Sequence, residues 1–461
     1  MKGLKYIWLL IVALMTTCMV TSCDDDESGS QSSPIKVNKI YLEDYKSTVP
    51  DREVDFARLG QLIRIEGSGF LGLKKLYVNG YDTYFNVAYV TDNSMLVTLS
   101  AKTPVVDAED DVRNTLRFVK DKTETTYQFT IRAASPSVTS ISNTLPQAGE
   151  TVTVYGTNLH ETSKVTLPGG VEVTSIQNDD ENGEWYSFVM PAGVTASGSI
   201  TSEGANGTAI SPAYFNNRDC MIIDFDGTGT QGYWSWSETG SMINNEDLAD
   251  DPLSSGRGKC FQLIPDRIIS AGGVVGGKSR ASECWTAGNG NDFEDWTRMF
   301  DYIPAATALT DVAFQFDIYV PEAWSTTGHI QICLINNFNF GGYKSDDNNA
   351  GNAVAFYIPW IVDGVATPFK TSGWQTVTIP FSEFVKYAKI LADTEATAPT
   401  FQDVVDDRNA ATYKNFGMGF VNTDFTYGGL DVSATTTSVK IYTDNWRVVP
   451  CASITVSDFD D

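Results

Sequence analysis

The chain has 461 residues, of which 58 are acidic and 32 basic, giving a formal charge of −26 at pH 7 with histidine neutral. Nucleic acid is excluded as a partner, because phosphates are held by a lysine and arginine footprint and this surface repels them. The same charge discourages adhesion to anionic lipid heads, whereas a neutral polymer meets no such penalty.

Lys2 and Lys5 precede an apolar run over residues 6–15, and small residues follow up to Cys23. This is the layout of a secretory signal peptide over residues 1–22, with an apolar core too short to cross a bilayer of about 30 Å. Val20-Thr21-Ser22-Cys23 resembles a bacterial lipobox, which implies lipid attached at Cys23 and cleavage just before it. Several acyl chains hold far better than one, each buried CH₂ adding about 0.8 kcal/mol, so the membrane is met only through this anchor. Residues 23–34 read as an acidic flexible linker. Within it, Asp24-Asp25-Asp26-Glu27 resembles the export signal that sends some Gram-negative lipoproteins to the outer face of the outer membrane.

Short alternating runs between Gly, Asn, Asp and Pro clusters then dominate, and helical periodicity is confined to residues 382–391 and 401–408. An all-β chain is expected. Ile63-Arg64-Ile65-Glu66-Gly67-Ser68-Gly69-Phe70 answers Val152-Thr153-Val154-Tyr155-Gly156-Thr157-Asn158-Leu159, and the lead-ins Val37 and Ile40 answer Val138 and Ile141. Each copy has the size of an Ig-like sandwich, roughly 80 to 100 residues. The tandem pattern resembles the IPT/TIG family and sets two Ig-like domains at residues 35–133 and 134–216. About a dozen extra residues between Val37 and Gly67 in the first copy read as loop. Pro34, Pro136 and Pro212 mark joints that are expected to swivel little.

Of ten tryptophans, eight lie from Trp234 onward, which marks residues 217–461 as a different domain, a larger C-terminal β-sandwich. A pyranose has an apolar C–H face and a rim of hydroxyls, so its site needs flat aromatic surfaces beside amides and carboxylates. Aromatics in polar, glycine-rich loops are therefore the informative ones, since those in alternating strands belong to cores. By this filter Trp285 and Trp296, in the segment 284–296, come first. Phe338 and Tyr343 follow in Asn336-Asn337-Phe338-Asn339-Phe340-Gly341-Gly342-Tyr343. Trp236, and Tyr357 with Trp360 around Pro359, complete the glycan-binding candidates, with core packing as the competing role of each. Trp324, Trp374 and Trp446 read as core.

No cofactor or metal is expected. Cys220, Cys260, Cys284, Cys333 and Cys451 are odd in number and lack C-x-x-C spacing, so they read as small buried residues. Asp224-Phe225-Asp226-Gly227 opens like a calcium loop, but Thr228 and Ser235 stand where oxygen donors are needed, and turn chemistry explains it better.

Residues 217–450 also resemble the surface glycan-binding protein B family. The resemblance rests on Asp224-Phe225-Asp226-Gly227, on Val320-Pro321-Glu322-Ala323-Trp324-Ser325 and on Gly373-Trp374-Gln375-Thr376-Val377-Thr378-Ile379-Pro380. It implies non-catalytic capture of a plant or fungal polysaccharide, a β-glucan or xyloglucan, at the cell surface beside an outer-membrane glycan transporter. Two alternatives stand beside it. An adhesin binding a protein could use the same spacers. A glycoside hydrolase needs only two well-spaced carboxylates, though no hydrolase motif is present and His160 and His329 lack ligand spacing.

Overall fold

The computed structural model describes residues 33–43, 49, 51–173, 175–232, 243–263, 282–287, 294–335 and 353–456. They fall into two compact units, Met1–Ser135 with Ala205–Gly207, and Pro136–Gly204 with Thr208–Asp461. The signal peptide, Cys23 and the acidic segment lie outside the described residues.

In the first unit one sheet runs Arg52–Glu53, Lys36–Leu42, Leu62–Ser68, Ser94–Thr98, and another runs Tyr81–Thr83, Lys75–Val78, Thr115–Val119, Glu124–Gln128. Alternation decides which face is core: Ile63, Ile65, Met95 and Val97 of the first sheet meet Leu76, Val78, Leu116 and Phe118 of the second. The extra residues read as loop are partly strand. Arg52–Glu53 extends the first sheet, and Phe56–Arg58 pairs in parallel with Thr130–Arg132. Runs of two and three residues are too short to show a period in sequence.

The second Ig-like domain repeats this plan with Ser137–Ile141, Thr151–Thr157, Trp185–Val189 and Ile176–Asn178 in one sheet. The sequence repeat holds in register: Ile40 pairs with Ile65, and Ile141 with Val154. Both copies also shift register just after the lead-in valine, Val37 or Val138, which faces Gly67 or Gly156. A Cβ added at Gly67 would lie 1.8 Å from the Lys36 carbonyl oxygen, and one at Gly156 1.9 Å from that of Ser137. The shared glycine is thus required by the shared bulge.

The C-terminal domain is a sandwich of a six-stranded and a four-stranded sheet. The first is centred on Val312–Tyr319, flanked by Tyr442–Pro450 and Gln375–Pro380. The second runs Ser282–Trp285, Gly417–Val421, His329–Cys333, Val354–Tyr357. Between them pack Phe314, Phe316, Ile330, Ile332, Met418, Phe420 and Trp446. The helices Val385–Ala392 and Phe401–Ala410 arise near the two stretches with helical period, the second opened by a capping box from Thr400 and Asp403. Trp324, Trp374 and Trp446 are buried as expected, and the five described cysteines are free thiols, four of them buried. The Asp224 carboxylate accepts the backbone N–H groups of Asp226 and Thr228, which is turn chemistry.

After Pro212 the second Ig-like and C-terminal domains pack directly on each other. Ala313 and Val449 of the C-terminal domain belong to the core of the second Ig-like domain, so Val312–Tyr319 is buried on both faces. On its outward face Asp317 accepts from Arg257 Nη1 at 2.8 Å, Thr376 Oγ1 at 3.0 Å and Arg447 Nη2 at 3.2 Å. Arg257 also donates to the Leu145 carbonyl at 2.9 Å, Arg447 to Thr144 Oγ1 at 2.7 Å, and the Thr376 N–H to the Ser142 carbonyl at 2.7 Å. The two domains share one buried polar network centred on Asp317.

Candidate functional site

The outward face of the four-stranded sheet has a composition unlike a core. Register sets two rows across it, Trp285, Gly417, Cys333, Val354 and then Glu283, Gly419, Gln331, Phe356. Each row has a glycine on the strand Gly417–Val421, between the indole and carboxylate of one neighbouring strand and the thiol and amide of the other. The Trp285 ring occupies the space over Gly417, where an added Cβ would sit 2.2 Å from its Cε3, and its Nε1 donates to Glu283 Oε2 at 2.9 Å. His329, one pair further along, stands edge-on between Phe356 and Phe425 at 5.5 and 5.0 Å. Burial there pushes its imidazole down to about 3, so it is neutral at physiological pH. Glu283, Trp285, Gln331 and Cys333 are all buried.

One end of this sheet gathers the aromatic-rich segments. Trp285 and Cys333 both face Gly417, so the strands leading into residues 286–295 and 334–353 end at the same level on either side of the strand Gly417–Val421. A third segment joins them: Gln231 bridges Thr286, and Gly232 N–H donates to the Trp285 carbonyl at 2.8 Å. The chain re-enters beside them, where Ile243 N–H donates to the Glu283 carbonyl at 2.9 Å. The anchors of the segments carrying Trp236, Phe338 and Tyr343 therefore converge on Trp285. Those three aromatics themselves lie outside the described residues.

The structure corrects the reading of Trp285 and Trp296 as loop aromatics and of Trp360 as an exposed shelf, since all three are buried, and the described candidates other than Trp285 lie elsewhere. Trp296 opens the short helix Trp296–Asp301 and is 1% exposed, under the Arg408 guanidinium at 3.9 Å and against Phe416 at 5.9 Å. Trp360 is fully buried, its Nε1 donating to the Gly328 carbonyl at 3.0 Å. Tyr357 packs edge-on against Phe316 and Phe369, and burial raises its phenol. Tyr357 pairs with Ile330, whereas Val354 pairs with Cys333, so Tyr357 lies about 10 Å along the strand from the Trp285 end. Trp285 is buried too, but in the separate cluster on the outward face. Glycine and polar neighbours in sequence mark a loop without saying what packs on it. The outward-face residues Glu283, His329 and Gln331 were missed, although polar groups at alternate positions of apolar runs signal one shared face.

Residues 214–450, just over half of the chain, match the family described as surface glycan-binding protein B xyloglucan binding domain. The chain belongs to the surface glycan-binding protein B family. That family consists of non-catalytic glycan-binding proteins. A Bacteroides ovatus protein described as IPT/TIG domain-containing is 25% identical over 331 residues, 70% of this chain. The chain spans 54% of the length of that curated relative. Among solved structures, the surface glycan-binding protein PbSGBP-B from Prevotella bryantii superposes with a TM-score of 0.60 at 21% identity, over 91% of this chain and 99% of that one. This likeness carries the fold, an array of Ig-like sandwiches ending in the larger one. The SGBP-B from a complex xyloglucan utilization locus in Bacteroides uniformis matches over 90% of this chain and 99% of its own, at 16% identity and a TM-score of 0.45.

Proposed function

We propose that this surface glycan-binding protein B captures a neutral plant or fungal β-glucan, with xyloglucan as first choice, without cleaving it. The observation that carries the reading is the match of residues 214–450 to a xyloglucan-binding domain, in a chain whose C-terminal aromatic segments are anchored at one sheet end. Trp285 marks that end, and Trp236, Phe338 and Tyr343, on the neighbouring segments, supply the stacking surfaces. Trp296, Tyr357 and Trp360 support the domain from its core. Lipid at Cys23 holds the chain to the outer face of the outer membrane after removal of residues 1–22, and the captured polymer passes to an outer-membrane glycan transporter.

About three stacked rings with a few hydrogen bonds net roughly 4 to 7 kcal/mol, dissociation constants from about millimolar to about 10 μM. Many anchored copies on one long polymer raise the effective affinity without new contacts, which suits polymers better than short oligosaccharides. Affinity electrophoresis of the chain from Asp24 onward, in gels holding xyloglucan, mixed-linkage β-glucan, mannan or starch, tests this. Retardation by xyloglucan or a β-glucan is expected. Retardation by none of the four, with binding to a protein partner instead, contradicts it.

A further inference from the structure

The first Ig-like domain carries an aromatic groove that a spacer does not need. Leu62, Tyr84, Phe85, Asn86, Tyr89 and Leu96 line most of a cavity of about 540 Å³ at its edge strand Ser94–Thr98. Tyr84 and Tyr89 are 82% and 60% exposed, and the three-residue turn Val87–Tyr89 that ends on the second of them is held by Asn86, whose Oδ1 accepts from the Ala88 N–H at 3.0 Å. That bond orients the Asn86 amide in the groove lining. Among the described residues no hydrogen bond engages its Nδ2.

The second copy of the domain serves as an internal control. By strand register Thr151 and Ser187 stand where the first copy has Leu62 and Leu96. After Val171–Val173, the counterpart of Tyr81–Thr83, the second copy continues Thr174-Ser175-Ile176-Gln177-Asn178, without an aromatic. The same scaffold therefore folds without the apolar floor and without the tyrosines. Exposed aromatics that contribute nothing to a fold mark an interaction site.

No residue lining the groove is charged, in a chain with 90 charged side chains among 461. An acidic or basic partner finds no counter-charge in it. Two exposed phenol rings over an aliphatic floor, with an oriented amide, instead match the C–H face and hydroxyl rim of a neutral sugar. We infer that this groove is a second glycan-contact site, one that grips another stretch of the polymer bound by the C-terminal domain. The inference rests on the glycan-binding reading above for its ligand class.

Two contacts on one polymer make the second effectively intramolecular, so losing one weakens polymer binding more than oligosaccharide binding. The test is a Tyr84→Ala, Tyr89→Ala double variant of the chain from Asp24 onward. It is titrated against xyloglucan polymer and a xyloglucan oligosaccharide by calorimetry, with its melting temperature checked against the parent. The expected result is an unchanged melting temperature, a 3- to 10-fold weaker polymer affinity, and loss of the weaker of two oligosaccharide sites. Parent-like polymer affinity with one oligosaccharide site in both proteins overturns the inference and leaves the C-terminal reading intact. A parent protein that binds neither probe removes that reading, and this inference with it.

Discussion

Arg257 and Asp317 meet at 2.8 Å with side chains only 1% and 0% exposed, and Arg257 reaches from there to the Leu145 carbonyl of the second Ig-like domain. Removing Asp317 strips buried Arg447 of its carboxylate, which costs about 3 to 5 kcal/mol, and removing Arg257 leaves Asp317 to Arg447 and Thr376 and costs less. Asp317→Ala should therefore lower the melting temperature sharply, and Arg257→Ala by less. Calorimetry should also resolve a separate transition for the second Ig-like domain, whereas the parent is expected to unfold it together with the C-terminal domain. A variant that still melts in one step at the parental temperature would refute the joint.

Acid should loosen the molecule in two windows. His329 is held at about 3 by burial, far below its unfolded value of about 6.5, and among the described residues neither ring nitrogen has a hydrogen-bond partner. Below about pH 6.5 the unfolded chain takes up a proton that the folded one refuses. Stability then falls by up to roughly 1.4 kcal/mol per pH unit towards pH 3. Burial opposes ionisation of Asp317, but Arg447, Arg257 and the Thr376 hydroxyl outweigh it and hold its carboxyl below the usual range. Its contribution is present above about pH 4 and is lost as pH falls through its folded value. Urea denaturation between pH 7 and pH 4 should show the first slope, flattened in His329→Phe.

The repeated bulge makes a paired prediction. Gly67→Ala and Gly156→Ala each drive a methyl into a carbonyl oxygen that cannot retreat without parting two strands. Each should cost at least about 2 kcal/mol. Comparable losses in urea midpoint would confirm that one constraint acts twice, and a neutral outcome at either site would deny it there.

Trp360→Phe removes the hydrogen bond to the Gly328 carbonyl and part of a packed ring. A loss of about 1 to 3 kcal/mol in stability is expected, with glycan affinity unchanged below the melting temperature. Affinity that falls while stability holds would restore Trp360 to the site.

The repeat was legible because its apolar residues alternate and its glycine is obligatory, so the lead-in valines, the bulge and the pairing of Ile40 with Ile65 all follow one pattern. The C-terminal core tryptophans were legible for the same reason. Trp296 was misread because polar neighbours hide an indole that turns inward under Arg408, and Trp360 because a strand end beside Pro359 does not show that its indole turns onto Gly328. The joint at Asp317 was invisible, since its partners Ser142, Thr144, Arg257, Thr376 and Arg447 are scattered over some 300 positions of sequence. The convergence on Trp285 depends likewise on pairing between Gln231, Thr286 and Gly417, strands that no local pattern connects.

Calorimetric titration of xyloglucan into the chain from Asp24 onward tests the central claim most directly. Saturable binding between about 10 μM and about 1 mM per site, with no new reducing ends released during the titration, is the predicted result. No heat at millimolar concentrations of xyloglucan and of mixed-linkage β-glucan, or a steady release of reducing ends, would contradict it.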